Sequence, residues 1–332
     1  IKIVFRSTWG NIIYSEDLSI LTEKVRSNNH LKDNIFSELQ VTGKLQENKY
    51  NDLYLFSEQT VLFDQNGDIR WYLDKEDLTV IYAQLRNGNI IIESNKEEVW
   101  YHARYFYEIS MMWEIIQKYD VDNYIHHEII ELSNLNLLAS SSSQAFSSMA
   151  DPVYRSDTIV EIDRSTGEVL KELDLNTILP GIRPINPTYK SVPHPWKFEG
   201  AFDTSTWNWV HINSLYEDGG DIIVSLRHLS MVISIDWETQ TLNWVFSHNV
   251  HDYNWLEEYT LDMNTENENR TEFLFPLAQH TATITSEWNL LIFDNGTNRD
   301  EIMWKEKEKQ YSRILEYSID KENKKIELMS SY

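Results

Sequence analysis

The chain has 332 residues, with 53 Asp and Glu against 29 Lys and Arg, a formal net charge of −24. That balance argues against nucleic acid or an anionic membrane surface as the main partner, because phosphate binding needs clustered basic side chains; an anionic small molecule would need a local group of cations. Cysteine is absent, which excludes disulfides, thiolate catalysis and Cys-based zinc sites, and no apolar run approaches a spanning helix, so no membrane insertion is expected.

Aromatic residues reach 13%, which suits strands. Ile1-Lys2-Ile3-Val4-Phe5 reads as the middle of a strand and has no signal-peptide character, as a processed or trimmed chain would begin. Residues 1–50 follow no repeat; they are expected to form a small N-terminal β element with a helical piece around Leu18 to Val25. From residue 51 onward a degenerate internal repeat takes over.

In chain order, hairpins run Val61 to Trp71, Val80 to Glu93, Tyr105 to Ile116, His127 to Ser140 and Ile159 to Leu170. A Pro-containing insertion, Leu175 to Asn208, separates these from His211 to Ser225 and Val232 to Val245. An acidic, Asn-rich insertion, Asn249 to Thr271, precedes His280 to Phe293 and Ile314 to Leu328. Alternating apolar residues around Asn66-Gly67, Asn87-Gly88 and Thr166-Gly167 are hairpin signals. Two hairpin types alternate, and each pair makes four antiparallel strands, one propeller blade. Copies of the first type lie 43, 54, 73 and 82 residues apart, the shortest close to a bare blade. The repeat thus predicts an all-β propeller domain over 51–332, with four to five blades in this chain. Ten glycines are few for so many turns, so Asn and Asp are expected at positions needing positive φ.

The second hairpin type carries the candidate chemistry. His127, His211 and His280 precede the aliphatic pairs Leu137-Leu138, Ile222-Ile223 and Leu290-Leu291 by 10, 11 and 10 residues, and Val80 takes that place in the first copy. Equivalent positions on inner propeller strands converge on the central channel, so the three histidines are predicted to meet. Strand alternation puts Asn213 on the face of His211. A three-residue loop at 218–220 places Arg227 opposite His211, whereas a two-residue loop would place His228 there. A two-residue turn at Glu287-Trp288 pairs His280 with Asn295. His126 and His228 alternate to the opposite face and read as packing or supporting residues. His30, His102, His194, His248 and His251 have no repeat equivalents.

Three imidazoles, a guanidinium and an amide make a compact anion-binding group. Arg offers a planar fork to a tetrahedral oxyanion, and His can act as nucleophile, acid or base near neutral pH. With no Cys and no serine-hydrolase elbow, His is the best nucleophile candidate. Two other readings stand beside this one. A metal-dependent hydrolase or lyase could hold zinc on the three imidazoles, although Arg227 beside a cation then has no role. A non-catalytic propeller could bind a partner through its loops.

His211-Ile212-Asn213-Ser214 with Ser225-Leu226-Arg227-His228, and Gln279-His280-Thr281-Ala282 with Phe293-Asp294-Asn295-Gly296, resemble the signature segments of bacterial arylsulfate sulfotransferases, which do not use the nucleotide sulfate donor. Tyr124 to Ile129 and Tyr311 to Tyr317 are similar to further segments, and the resemblance runs from about Leu53 to the C-terminus. It implies a six-bladed propeller whose last blade is missing or incomplete in this chain, exported to the periplasm or cell exterior and often a homodimer. It implies aryl sulfates and phenols as small-molecule partners, with neither cofactor nor metal, since the donor carries its own activated group. Residue by residue, His280 matches a transiently sulfated histidine and His127 a proposed acid/base, while His211, Asn213 and Arg227 match groups that hold the sulfuryl oxygens; Asn295 is a candidate for support. Trp207, Trp209 and Tyr189 are candidates to line the aryl ring.

Overall fold

The computed structural model describes residues 2–6, 12–17, 53–56, 60–64, 69–73, 77–94, 103–142, 157–180, 182, 210–248, 254–263, 275–296 and 311–332. The chain divides into two compact units, Ile1–Glu76 and Asp77–Tyr332. The first contains an antiparallel hairpin of β1 (Lys2–Arg6) and β2 (Ile12–Asp17), and a separate antiparallel sheet ordered β3 (Leu53–Phe56), β4 (Val61–Asp64), β5 (Ile69–Tyr72). The helical piece expected at 18–25 lies outside the described residues.

The second unit is built from antiparallel four-strand meanders. β6 (Leu78–Gln84), β7 (Ile90–Ser94), β8 (Ala103–Ile109) and the first part of β9 (Ile115–Glu131) form one. The second part of β9 continues into β10 (Leu137–Ser142), β11 (Asp157–Ile162) and β12 (Val169–Asp174), so the 17-residue strand β9 fuses two meanders into a seven-stranded sheet. A second sheet runs β13 (Ile212–Asp218), β14 (Asp221–Leu226), β15 (Met231–Asp236), β16 (Thr241–Ser247). β17 (Asp262–Met263) adds parallel to the outer edge of the last, which is ordered β18 (His280–Ile284), β19 (Leu290–Asp294), β20 (Arg313–Asp320), β21 (Lys325–Ser331). Among the described residues the one α-helix is the single turn α1 (Leu175–Ile178), whose N-terminal amide of Asn176 is capped by the Asp174 carboxylate.

Why each meander has this order follows from burial. Ile90-Ile91-Ile92, Leu137-Leu138-Ala139 and Ile222-Ile223-Val224 are apolar on consecutive residues, and their strands are buried on both faces, the pattern of a sheet covered from both sides. β21 instead alternates exposed residues with better covered ones, Ile326 being its buried residue. One core cluster packs Leu138, Ile159 and Leu173 against Ile212, Val224 and Ile233, and another packs Ile223, Val232 and Phe246 against Ala282, Ile292 and Leu315. Consecutive sheets are therefore held face to face. Each fully buried Ile or Leu contributes about 1.5–3 kcal/mol.

The turns correct two register expectations. β13 and β14 join through the two residues Gly219-Gly220, with φ of 62° and 111°, and Asp218 faces Asp221. Two consecutive positive-φ residues form the tight turn that matches strand twist, which only glycines adopt freely. β18 and β19 join instead through a three-residue loop: Thr285 N–H donates to Asn289 O, and Trp288 N–H to Thr285 O. The loop alone would set His280 opposite Asp294; the register slip between His280 and Ala282 makes its partner Phe293, not Asn295.

The same loop recurs at 85–89, 110–114 and 132–136. Its left-handed position is filled by Gly88, Trp113, Leu135 and Trp288 in turn. Among the described residues Asn and Asp do not replace glycine at positive φ: none is among the non-glycine residues found there. Asn works elsewhere in the loop, where the Asn87 and Asn134 side chains accept from the backbone N–H two residues on.

Candidate active site

The first strands of successive meanders lie next to one another, β9 beside β13 and β13 beside β18. Each loses regular pairing close to its histidine. Register slips between Ala139 and Ser141 opposite β9, between Ile212 and Ser214 on β13, and between His280 and Ala282 on β18. The backbone turns left-handed at His127 (φ 61°), His211 (φ 57°) and Thr281 (φ 51°), which costs a residue with a Cβ about 1–2 kcal/mol. Such bulges re-aim side chains. At β9 alternation fails, and the adjacent rings of His126 and His127 meet edge-on with Nδ1 atoms 2.9 Å apart.

Five histidines form one cluster. His127 lies 4.4 Å from His211 and 6.3 Å from His280 between ring centroids. His228 stacks on His211 at 4.5 Å, and His126 is 6.5 Å from His211. His126 and His228 thus belong to the cluster and are not on an opposite face. Arg227 opens a 3₁₀ turn, Arg227–Leu229, and its backbone N–H donates to the His211 carbonyl. It reaches this place by an unexpected route. The two-residue turn alone would set His228 there; the bulge at Asn213 restores Arg227 and leaves His228 to stack on the imidazole.

Asn213 is buried and donates through Nδ2 to the Gln279 carbonyl, 2.7 Å away. It thereby grips the backbone just before His280. Gln279 is itself anchored by its side-chain amide to Ser225 Oγ and to the Met231 carbonyl. The Ser214 hydroxyl accepts from the Ala282 N–H. Asn295 lies away from His280 in sequence register, donating to the Ala278 carbonyl at 2.7 Å. Trp207, Trp209 and Tyr189 lie outside the described residues, as do His30, His102, His194 and His251. His248 sits near Phe275, 6.2 Å between rings.

Asp157 and Glu128 were not singled out by sequence. The buried Asp157 carboxylate accepts the Ile212 N–H at 2.6 Å, fixing the strand that begins beside His211. Glu128 accepts the Leu215 N–H at 2.9 Å and joins β9 to β13. The available signal was a polar residue beside an apolar strand, Asp157 before Thr158-Ile159 and Gln279 before His280.

Burial, then the charges of His228, His127, His126 and Arg227, hold His211 well below the ordinary histidine range. Burial followed by the Arg227 charge lowers His280 too. Both imidazoles are therefore neutral near pH 7, with a lone pair available. Thr281 Oγ1 lies 3.1 Å from His280 Nδ1, which engages that nitrogen and leaves Nε2 open. Burial pushes Glu128 up to about 7, opposed by the Leu215 amide. Among the described residues no group of three or more His, Asp or Glu side chains is arranged to hold a metal ion, and no helix is long and apolar enough to cross a membrane.

Three neighbouring strands and the 3₁₀ turn after β14 thus bring five histidines and Arg227 into one cluster of an all-β fold. A family model described as Arylsulfotransferase (ASST) matches residues 38–332, and the chain belongs to that family. It is 26% identical over 323 residues to arylsulfate sulfotransferase AssT of Lelliottia amnigena and 27% identical over 316 residues to that of Escherichia coli O6:H1. Each match covers 82% of this chain and 52% of the relative, so the chain spans about half the length of the curated relatives it matches. Solved structures resemble it distantly. Virginiamycin B lyase from Staphylococcus aureus gives a TM-score of 0.41 at 12% identity over 84% of this chain and 65% of that one. A luciferin-regenerating enzyme gives 0.41 at 9% over 84% and 71%.

Proposed function

We propose that this protein transfers a sulfuryl group from an aryl sulfate to a phenol by double displacement, with His280 as the nucleophile. The observation that carries the proposal is the meeting of His127, His211 and His280, distant in sequence, around Arg227. His280 Nε2 attacks sulfur; the S–O bond to the aryl group breaks and its electron pair stays on the phenol oxygen. His127 protonates that oxygen and later takes the proton of the acceptor phenol. Arg227 and His211 hold the sulfuryl oxygens as charge shifts among them, and Asn213 contributes by fixing the backbone before His280. Neutral His280 and His211 suit a nucleophile and a neutral donor. Asn295 has at most a supporting part, through the Ala278 carbonyl.

The face-to-face meanders of the second unit support its assignment as blades of a six-bladed propeller, with 51–332 as the catalytic domain and 1–50 as a separate N-terminal β element. Export, with action in the periplasm or outside the cell, and a homodimeric state belong to the same proposal, as does a reaction needing no cofactor.

Intact-mass and peptide mass spectrometry after rapid quenching of protein with aryl sulfate tests the chemistry. The expected result is an adduct of about 80 Da on His280 that disappears on adding a phenol. Turnover with no adduct on any histidine under those conditions would overturn the covalent route.

A further inference from the structure

His126 and Asp157 are buried together, each with 3% or less of its surface exposed. His126 Nε2 lies 3.5 Å from Asp157 Oδ1, an ion-pair separation. The carboxylate cannot turn freely, because its other oxygen accepts the Ile212 N–H at 2.6 Å. On the far side of the ring, His126 Nδ1 meets His127 Nδ1 at 2.9 Å. Regular strand geometry would set two adjacent side chains on opposite faces. The left-handed residue His127 brings them together, and Ser140 secures the bulge: its hydroxyl donates to the His126 carbonyl and accepts from the Glu128 N–H.

The proton count along this line is constrained. Two ring nitrogens at 2.9 Å share one proton, so one donates and one accepts. A carboxylate only accepts, so Asp157 places a proton on His126 Nε2. If that is the only proton on the ring, His126 offers a lone pair at Nδ1, and His127 carries its own proton on Nδ1. That leaves His127 Nε2 as the atom that takes and gives protons. The opposite arrangement would aim a bare lone pair at a buried carboxylate. Around this line lie His211, 6.5 Å from His126 between rings, then His228 stacked on His211, Arg227, and Glu128 on the same strand.

We propose that Asp157 and His126 form a positioning relay that fixes the tautomer of His127 and steadies its protonated form during sulfuryl transfer. The proposal rests on the acid/base role given to His127 above. When the aryl–oxygen bond to sulfur breaks and His280 Nε2 bonds to sulfur, the proton on His127 Nε2 passes to the phenol oxygen. His127 keeps its Nδ1 proton, donated to His126, and Asp157 stays ionised. In the second half-reaction the acceptor phenol returns a proton to His127 Nε2. The logic is that of a carboxylate orienting a catalytic imidazole, with a second imidazole interposed.

The test compares Asp157→Asn, which keeps an oxygen for the Ile212 amide, and His126→Asn, which keeps an acceptor beside His127 but loses the carboxylate. Both are assayed on the intact protein with nitrophenyl sulfate and phenyl sulfate, with His127→Ala as control. The relay predicts kcat losses of about 10- to 100-fold with phenyl sulfate, part of the usual worth of general acid–base catalysis, and much smaller losses with nitrophenyl sulfate, whose phenol leaves without help. KM should change little. ¹⁵N-histidine NMR should show His127 protonated at Nδ1 in the unmodified protein and a change of that signature in Asp157→Asn. If His127→Ala is donor-dependent and the two relay variants slow both donors equally, the relay is wrong and His127 stands. If His127→Ala itself slows both donors equally, the acid/base assignment falls, and the NMR spectrum still decides the tautomer. An Nε2-protonated His127 overturns the relay on its own.

Discussion

At the scale of residues, the site is a set of groups whose charge states are set by what surrounds them. Glu128 shows this in a measurable way. Burial raises its carboxyl from the ordinary 4.5 to about 7, so the folded state holds the proton more tightly than the unfolded chain. Its contribution to stability is complete below pH 4.5 and is lost as pH rises through 7. Glu128→Gln keeps an oxygen for the Leu215 amide and removes the titration. The variant should gain about 1–3 kcal/mol over the parent at pH 8 and nothing at pH 4, measured by denaturant unfolding at both values. An equal difference at the two values would show that the carboxyl does not carry this cost. His211 acts in the opposite direction. Its lowered folded value means that stability falls as pH drops below the ordinary histidine range.

Elements show where pattern reading succeeds and fails. Consecutive apolar residues in Ile90-Ile91-Ile92 and the His-to-aliphatic spacing were readable because they reflect burial and repeat period. Loop length was not, since a two- and a three-residue hairpin loop accept similar polar sequences. The register of Arg227 needed two departures, the tight Gly219-Gly220 turn and the bulge at Asn213, which together cancel. His280 likewise received Phe293 through two departures, the three-residue loop in which Trp288 occupies a left-handed position that sequence rules reserve for Gly or Asn, and the slip between His280 and Ala282. That position is testable. Trp288 is 72% exposed with φ of 66°, so its ring packs little while its Cβ is strained. Trp288→Gly should stabilise by about 0.5–1 kcal/mol, the Cβ penalty less the chain entropy of glycine, seen as a higher denaturation midpoint. A lower midpoint would mean that the indole packs more than its exposure indicates.

At the scale of the whole molecule, the net charge of −24 would oppose the anionic donor of the proposed reaction. The group around Arg227 counters it locally, and that group acts at short range. Raising ionic strength from about 0.01 M to about 0.15 M shortens the screening length from about 30 Å to about 8 Å. The long-range repulsion should weaken more than the close contacts, so kcat/KM for an aryl sulfate should rise severalfold. A fall with salt would show that the cationic cluster steers the donor despite the overall field.

Strand content, the hairpin repeat and the shared spacing of His127, His211 and His280 were legible along the chain, because burial and period are local properties of it. It also carried the motifs of the family. Packing of the strands was needed to show that His126 and His228 join the cluster, that Asn213 holds the backbone before His280 while Asn295 does not face it, and that Asp157 stands behind His126. Those outcomes depend on bulges, left-handed residues and contacts between strands 30 to 80 residues apart, such as Asp157 with Ile212 and Asn213 with Gln279. A bulge moves every later side chain to the other face at little cost in composition, so alternation rules cannot see it, and a buried carboxylate finds its partner only once neighbouring sheets have packed.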